Sequence, residues 1–206
     1  MNNMKEANIT RKTGSIDWNQ IPLIAIDYLH NTPGTEVEAF AQVCYDDQAL
    51  YLRLSAKEAE IRAVEQGLLG MPCTDSCLEF FFSPMENDLR YFNLEFNPNK
   101  CLFLGFGSGI DDLVRLVISE EEQAQIFNPQ VTYLPDGWEI TYQIPYSFIR
   151  RFFPDFSVTS GKTIRDNFYK CAEKTTVKHF LAWSPVTPKK RSSFHAPEEY
   201  GVLNFI

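Results

Sequence analysis

Residues 75–97 read D-S-C-L-E-F-F-F-S-P-M-E-N-D-L-R-Y-F-N-L-E-F-N, with apolar and polar residues alternating on both sides of a turn-rich break. A period of two puts successive side chains on opposite faces of a strand, so the stretch predicts two paired strands. Leu78, Phe80 and Phe82 from the first, with Phe92, Leu94 and Phe96 from the second, make one apolar face. The other face carries Cys77, Glu79 and Phe81 beside Tyr91, Asn93 and Glu95. Hydrogen-bonding and aromatic groups are mixed there more richly than a solvated surface requires, which makes it the candidate ligand platform.

The pattern recurs along the chain. Residues 1–20 read as an entry segment and 21–26 as a first strand, broken by Thr32-Pro33-Gly34. Residues 36–45 alternate, Asp46-Asp47-Gln48 turn, and Leu50, Leu52 and Leu54 resume the alternation, which describes a hairpin with an acidic loop. Residues 57–69 are charged and mixed in period and suit a helical turn. Further strands are expected at 101–106, at 130–134 and 138–144 around Pro135-Asp136-Gly137, at 163–171, 179–183 and 201–206. Ser119 before Glu120, Glu121 and Glu122 predicts an N-capped helix, and Pro145 opens a second short one in P-Y-S-F-I-R-R-F-F. Residues 184–193 read as a loop. Many short strands with few helices predict an all-β antiparallel sandwich, immunoglobulin- or jelly-roll-like, with one or two short helices and a single domain over residues 1–206. With 44% hydrophobic residues and 14% aromatics, the 206-residue chain can fill such a core.

The formal net charge of -8 repels phosphate backbones and anionic lipids, so neither nucleic acid nor a membrane surface is an expected partner. Lys189-Lys190-Arg191 reads as a solvated basic turn. No run approaches the ~18 apolar residues of a membrane span. The start, M-N-N-M-K-E-A-N-I-T-R-K, has no apolar core and hence no secretory signature, which favours the cytoplasm. The sequence carries no signal for an oligomeric state.

Five cysteines (Cys44, Cys73, Cys77, Cys101, Cys171) are an odd set without a CxxC pair, so reduced thiols are expected. Cys73 and Cys77 could serve a metal, but a structural zinc site wants four ligands in recognisable pairs, and no second pair is present. Catalytic signatures are thin. Ser108 in G-F-G-S-G lacks the register of a nucleophile elbow. Glu79 and Glu95, on adjacent strands, offer the paired carboxylates of a glycosidase as an alternative reading. His30, His179 and His195 are the histidines available to a haem, and His195 before Pro197 better suits an ordered loop.

Trp18, Y-D-D-Q-A-L-Y-L at 45–52, D-S-C-L-E-F-F at 75–81, Y-F-N-L-E-F-N at 91–97, W-E-I-T-Y-Q-I-P at 138–145, R-D-N-F-Y at 165–169, A-W-S-P at 182–185 and F-H-A-P-E-E-Y-G-V-L-N-F at 194–205 occur in an order that covers nearly the whole chain. Together they resemble the family 9 carbohydrate-binding modules and their DOMON-related relatives. That resemblance implies a β-sandwich that binds sugars. Founding members are attached to xylanases, clamp a glycan end between two aromatic rings and carry structural calcium. Glu79 then matches the carboxylate of the D-S-x-x-E motif and Trp183 a clamp tryptophan. Because the family is mostly exported, the extracellular side stays open.

Sugars are held by flat aromatic faces and by carboxylates, amides and guanidinium groups. Glu79, Tyr91, Asn93, Arg165, Asn167, Tyr169 and Trp183 supply that inventory and are the candidate ligand-binding residues, with no catalytic residue assigned. Asp46, Asp47, Asp111 and Asp112 are the candidate calcium ligands, since hard cations take several loop oxygens. The expected function is non-catalytic recognition of a sugar or glycan end, such as xylan or cellulose, on a concave sheet face. A glycan-processing enzyme on the same scaffold and a structural or interaction domain are the alternatives.

Overall fold

The computed structural model describes residues 4–30, 36–187 and 194–206. The expected break at Thr32-Pro33-Gly34 and the basic turn Lys189-Lys190-Arg191 lie outside these residues. Within them the strands are β1 Glu6–Arg11, β2 Ile24–Ala25, β3 Tyr28–Leu29, β4 Glu38–Tyr45, β5 Ala49–Lys57, β6 Cys77–Ser83, β7 Tyr91–Phe96, β8 Leu102–Gly107, β9 Val114–Arg115, β10 Gln130–Leu134, β11 Gly137–Pro145, β12 Thr163–Ala172, β13 His179–Ala182 and β14 Gly201–Phe205. The α-helices are α1 Glu120–Phe127 and α2 Tyr146–Ile149.

One layer runs β10-β11-β5-β4 and the other β9-β8-β7-β6-β12-β14, with β1 between β4 and β14 joining them. β12 is long enough to share its second edge: residues near Thr163 pair with β14, and those near Ala172 with β13. Nearly all pairings are antiparallel, as the hairpin signals predict. The exception is β1, which pairs parallel to β14 at Ala7↔Leu203 and parallel to β4 at Thr10↔Cys44. The expected entry segment is therefore a strand that bridges both layers, and the sandwich is a curled, mixed sheet.

The apolar faces predicted from alternation form the core. Leu50, Leu52, Leu54, Ile140 and Ile144 of one layer cluster with Phe80, Phe82, Phe92, Leu94, Phe96 and Phe168 of the other, all fully buried. Phe80 stacks on Phe82 and Phe168 at centroid separations of 5.0 and 4.9 Å. Burying each such side chain contributes ~1.5–3 kcal/mol. α1 starts where expected: the Ser119 hydroxyl accepts from the Glu122 amide at 3.1 Å, and the Glu122 carboxylate accepts from the Ser119 amide at 2.9 Å. Residues 58–69 contain no helix. That connection is pinned from outside by Asp75, which accepts from the amides of Val64 and Glu65 at 2.8 Å each. No helix among the described residues is long and apolar enough to cross a membrane.

Two polar features inside the sandwich were invisible to pattern reading. Glu58 accepts from Trp138 Nε1 at 2.7 Å and pairs with Lys170 Nζ at 3.0 Å, with both charged side chains buried. Asp166 alternates with Ile164 and Phe168 on the core side of β12, and neither carboxyl oxygen has a hydrogen-bond partner.

Candidate functional site

Strand register assembles the platform. Glu79 stands opposite both Tyr169 on β12 and Glu95 on β7, while Phe81 stands opposite Asn167 and Asn93. Because partners across a ladder share a face, Glu79, Tyr91, Asn93, Glu95, Asn167 and Tyr169 line one side of three neighbouring strands, outside the main core. Gly105 on β8 makes the room: a Cβ there would fall 1.8 Å from Asn93 Oδ1. Arg165 is at the rim of this face, donating to the Glu198 carbonyl at 3.3 Å.

The face is not an open recess. Residues 194–200 lie across it, led by Phe194, whose ring stacks on Tyr169 at 3.9 Å. The hydroxyls of Tyr169 and Tyr200 both donate to the Phe194 carbonyl, at 3.1 and 3.2 Å. Tyr91 and His195 share a hydrogen bond of 2.5 Å from hydroxyl to Nδ1. Asn167 is closed over by the backbone of Ser184, donating to its carbonyl and accepting from its amide at 2.9 Å each. The result is a second, smaller core of Phe81, Tyr91, Tyr169, Ala182, Val186 and Tyr200. Among the described residues, the segment that covers the platform is the chain's own.

Trp183 is on the opposite side. It follows Ala182, which faces the platform, and one step along a strand reverses the direction of a side chain. Its amide donates to the Phe168 carbonyl at 2.9 Å, its ring packs on Phe168 at 5.7 Å, and Gly201 leaves the space it fills. Trp183 is 3% exposed and belongs to the main core.

The acidic turns have local tasks. Asp46 accepts from the amides of Gln48 and Ala49 and from the Tyr51 hydroxyl, with Lys12 at 3.0 Å. These contacts hold its carboxyl below the ordinary value. Asp47 pairs with Arg11. Asp112 accepts from the amides of Ser108 and Gly109, closing the loop that it shares with Asp111. His195, desolvated where the covering segment packs it against Tyr91 and Phe81, is lowered to about 4.

At the other end of the platform Cys77, Glu79 and Glu95 come together, their ligating atoms all within 4.8 Å of one another. The 3-10 turn Pro72–Thr74 packs on this end of β6, β7 and β12. Full burial pushes Glu79 up to about 7, against hydrogen bonds from Cys171 and Cys77 that lower it, and pushes Glu95 well above the usual carboxylate range. None of the five cysteines is joined to another in this structure. Sequence reading put all three on one face and paired Glu79 with Glu95, but did not read them with Cys77 as a metal-ligand set, since the donors come from two strands with no shared spacing motif. It also missed a cleft of about 830 Å³ between the β10–β11 turn and the β12–β13 connection, where Glu58, Glu60, Asp136 and His179 line the wall.

By fold and by the polar, aromatic lining of one sheet, the chain falls in the class of β-sandwich modules. It belongs to carbohydrate-binding family 9, whose model matches residues 9–205. A candidate carbohydrate-binding protein of Bacteroides uniformis is similar over 98% of this chain and 100% of its own, with a TM-score of 0.77 and 28% identity. A family 9 module of Caldicellulosiruptor kristjanssonii, solved with cellotriose, shares the fold at a TM-score of 0.69 and 13% identity, over 98% of this chain and 93% of that one. Its glucose complex gives 0.69 and 12%, over 98% and 96%. No curated protein sequence matches the chain.

Proposed function

We propose that this chain is a non-catalytic module that binds a β-linked gluco- or xylo-oligosaccharide on the outer face of β6, β7 and β12. The observation that carries the reading is the gathering of Glu79, Tyr91, Asn93, Asn167 and Tyr169 on one face separate from the main core. Carboxylate, amides and phenol rings there match the acceptors, donors and flat apolar surfaces that a pyranose needs. Family membership and the cellotriose and glucose complexes of a related module lend further support. Access requires residues 194–200 to lift from Tyr91 and Tyr169, so binding is coupled to opening of that cover.

Calorimetric titration of glucose, cellotriose and xylotriose tests the reading. Binding tighter than ~1 mM, weakened by Glu79→Gln, supports it. No heat for any of these sugars in that range ends it.

A second reading, glycoside hydrolysis, is favoured by the direct opposition of Glu79 and Glu95. Chromogenic glycosides decide it: turnover by the wild type that is lost in Glu95→Gln would displace the non-catalytic reading.

A further inference from the structure

Buried carboxylates cost far too much to leave ionised unless they are paired with a cation or coordinate a metal. Glu79 and Glu95 are 2% and 6% exposed, and among the described residues neither forms an ion pair. The positive charges felt there are engaged elsewhere. Lys170 binds Glu58 on the core side of the sheet, and Arg115 donates to the carbonyls of Gly70 and Leu102. A thiol, Cys77, completes a triangle whose ligating atoms lie within 4.8 Å of one another.

We propose that Cys77, Glu79 and Glu95 form a binding site for zinc or a similar borderline-soft divalent cation. The donor set selects the ion. One sulfur and two carboxylate oxygens suit tetrahedral zinc, with Zn–S near ~2.3 Å and Zn–O near ~2.1 Å. Calcium and magnesium, which want six or more oxygens, are poorly served by a sulfur ligand. On binding, the Cys77 thiol and the carboxyls release whatever protons they hold to solvent. The ion neutralises two of the three resulting charges, and Arg115 balances the third through space.

An independent feature points the same way. Asn93 donates to Glu95 Oε1 at 2.8 Å, while its own Oδ1 is buried with no hydrogen-bond partner. The amide therefore orients one ligand through its Nδ2, while its Oδ1 is turned toward Gly105 of β8. Cys171, opposite Cys77 on β12, is hydrogen-bonded to Glu79 and plays the matching part for the second carboxylate. The proposal shares Glu79 with the sugar-binding reading, but its test runs in sugar-free solution, so the two readings fail separately.

The test is titration of the reduced, full-length protein with Co²⁺, followed by competition with Zn²⁺. The expected result is one equivalent of Co²⁺ bound at micromolar concentration, with a thiolate-to-cobalt charge-transfer band, tetrahedral visible bands and proton release, all reversed by Zn²⁺. Cys77→Ser should abolish the charge-transfer band, and Glu95→Gln should weaken binding by ~10-fold or more. Cys44→Ser, in β4 of the other layer, should leave the spectrum unchanged. Absence of stoichiometric Co²⁺ binding to the wild type overturns the proposal whether or not the variants fold. A charge-transfer band that survives Cys77→Ser overturns it as well.

Discussion

Glu79 and Glu95 face each other directly across the β6–β7 ladder, both buried, with no cation paired to either among the described residues. Like charges in that arrangement repel, so without a bound ion the pair keeps at least one proton at neutral pH.

The first prediction follows from the sign of that shift. Glu79 rises from 4.5 unfolded to about 7 folded, chiefly through burial. The folded state therefore binds more protons than the unfolded state between those values. Its stability term is complete below pH 4.5 and is lost as pH rises through 7. Urea unfolding in chelator should show a loss on the order of 3 kcal/mol from this group between pH 5 and 8. Glu79→Gln removes the titrating group and should flatten that slope.

Asp166 obeys the same rule in a drier place. Burial pushes its carboxyl well above the ordinary value, and no hydrogen bond offsets it. Asp166→Asn keeps the shape and drops the proton linkage. The variant should gain on the wild type as pH rises from 4 to 8, by up to ~1.4 kcal/mol per unit until the wild-type carboxyl ionises. Thermal melts across that range measure the gap.

The Glu58–Lys170 pair, 3.0 Å apart, is buried on both sides. Removing one partner strands the other charge, so Lys170→Met should destabilise the fold by ~3–5 kcal/mol. Adding Glu58→Gln, which keeps an acceptor for Trp138, should recover most of that loss. A double-mutant cycle in urea reads the coupling.

His195 is lowered from 6.5 to about 4 by desolvation, so it folds neutral. A depressed folded value means that its contribution is full above 6.5 and disappears as pH falls through 4. The ring-proton shift of His195 should titrate well below 6.5 in the wild type. Tyr91→Phe, which deletes its 2.5 Å partner, should cost ~1 kcal/mol and raise that midpoint. An unperturbed midpoint in the wild type would mean that residues 194–200 stand open in solution.

Alternation alone identified the core: Phe80, Phe82, Phe92 and Phe96 point inward as their period demands. It also put Glu79 with Asn93 on one face of the 75–97 hairpin, and Asn167 with Tyr169 on one face of their own strand; only the pairing of β6 with β12 brings the two sets together. What covers that face was not legible, since Phe194 and His195 arrive from more than a hundred residues beyond Glu79. Trp183 was assigned by motif, and only the β12–β13 register tells which way it points. Cys77, Glu79 and Glu95 were placed on one face by alternation, but a metal-ligand reading of them was not made, because search by spacing finds ligands within one segment. The bridging role of β1 was missed too, as parallel pairing leaves no turn signature.

That bridging strand constrains how the molecule can assemble. Residues 6–9 pair with 202–205, nearly the widest sequence separation that the described chain offers. The two layers are thus clasped by a contact between segments 196 residues apart, and this high contact order slows closure. Until β14 arrives, β1 exposes a free edge that invites pairing with another chain. Shielding that edge until β14 pairs with β1 should raise the yield of folded protein.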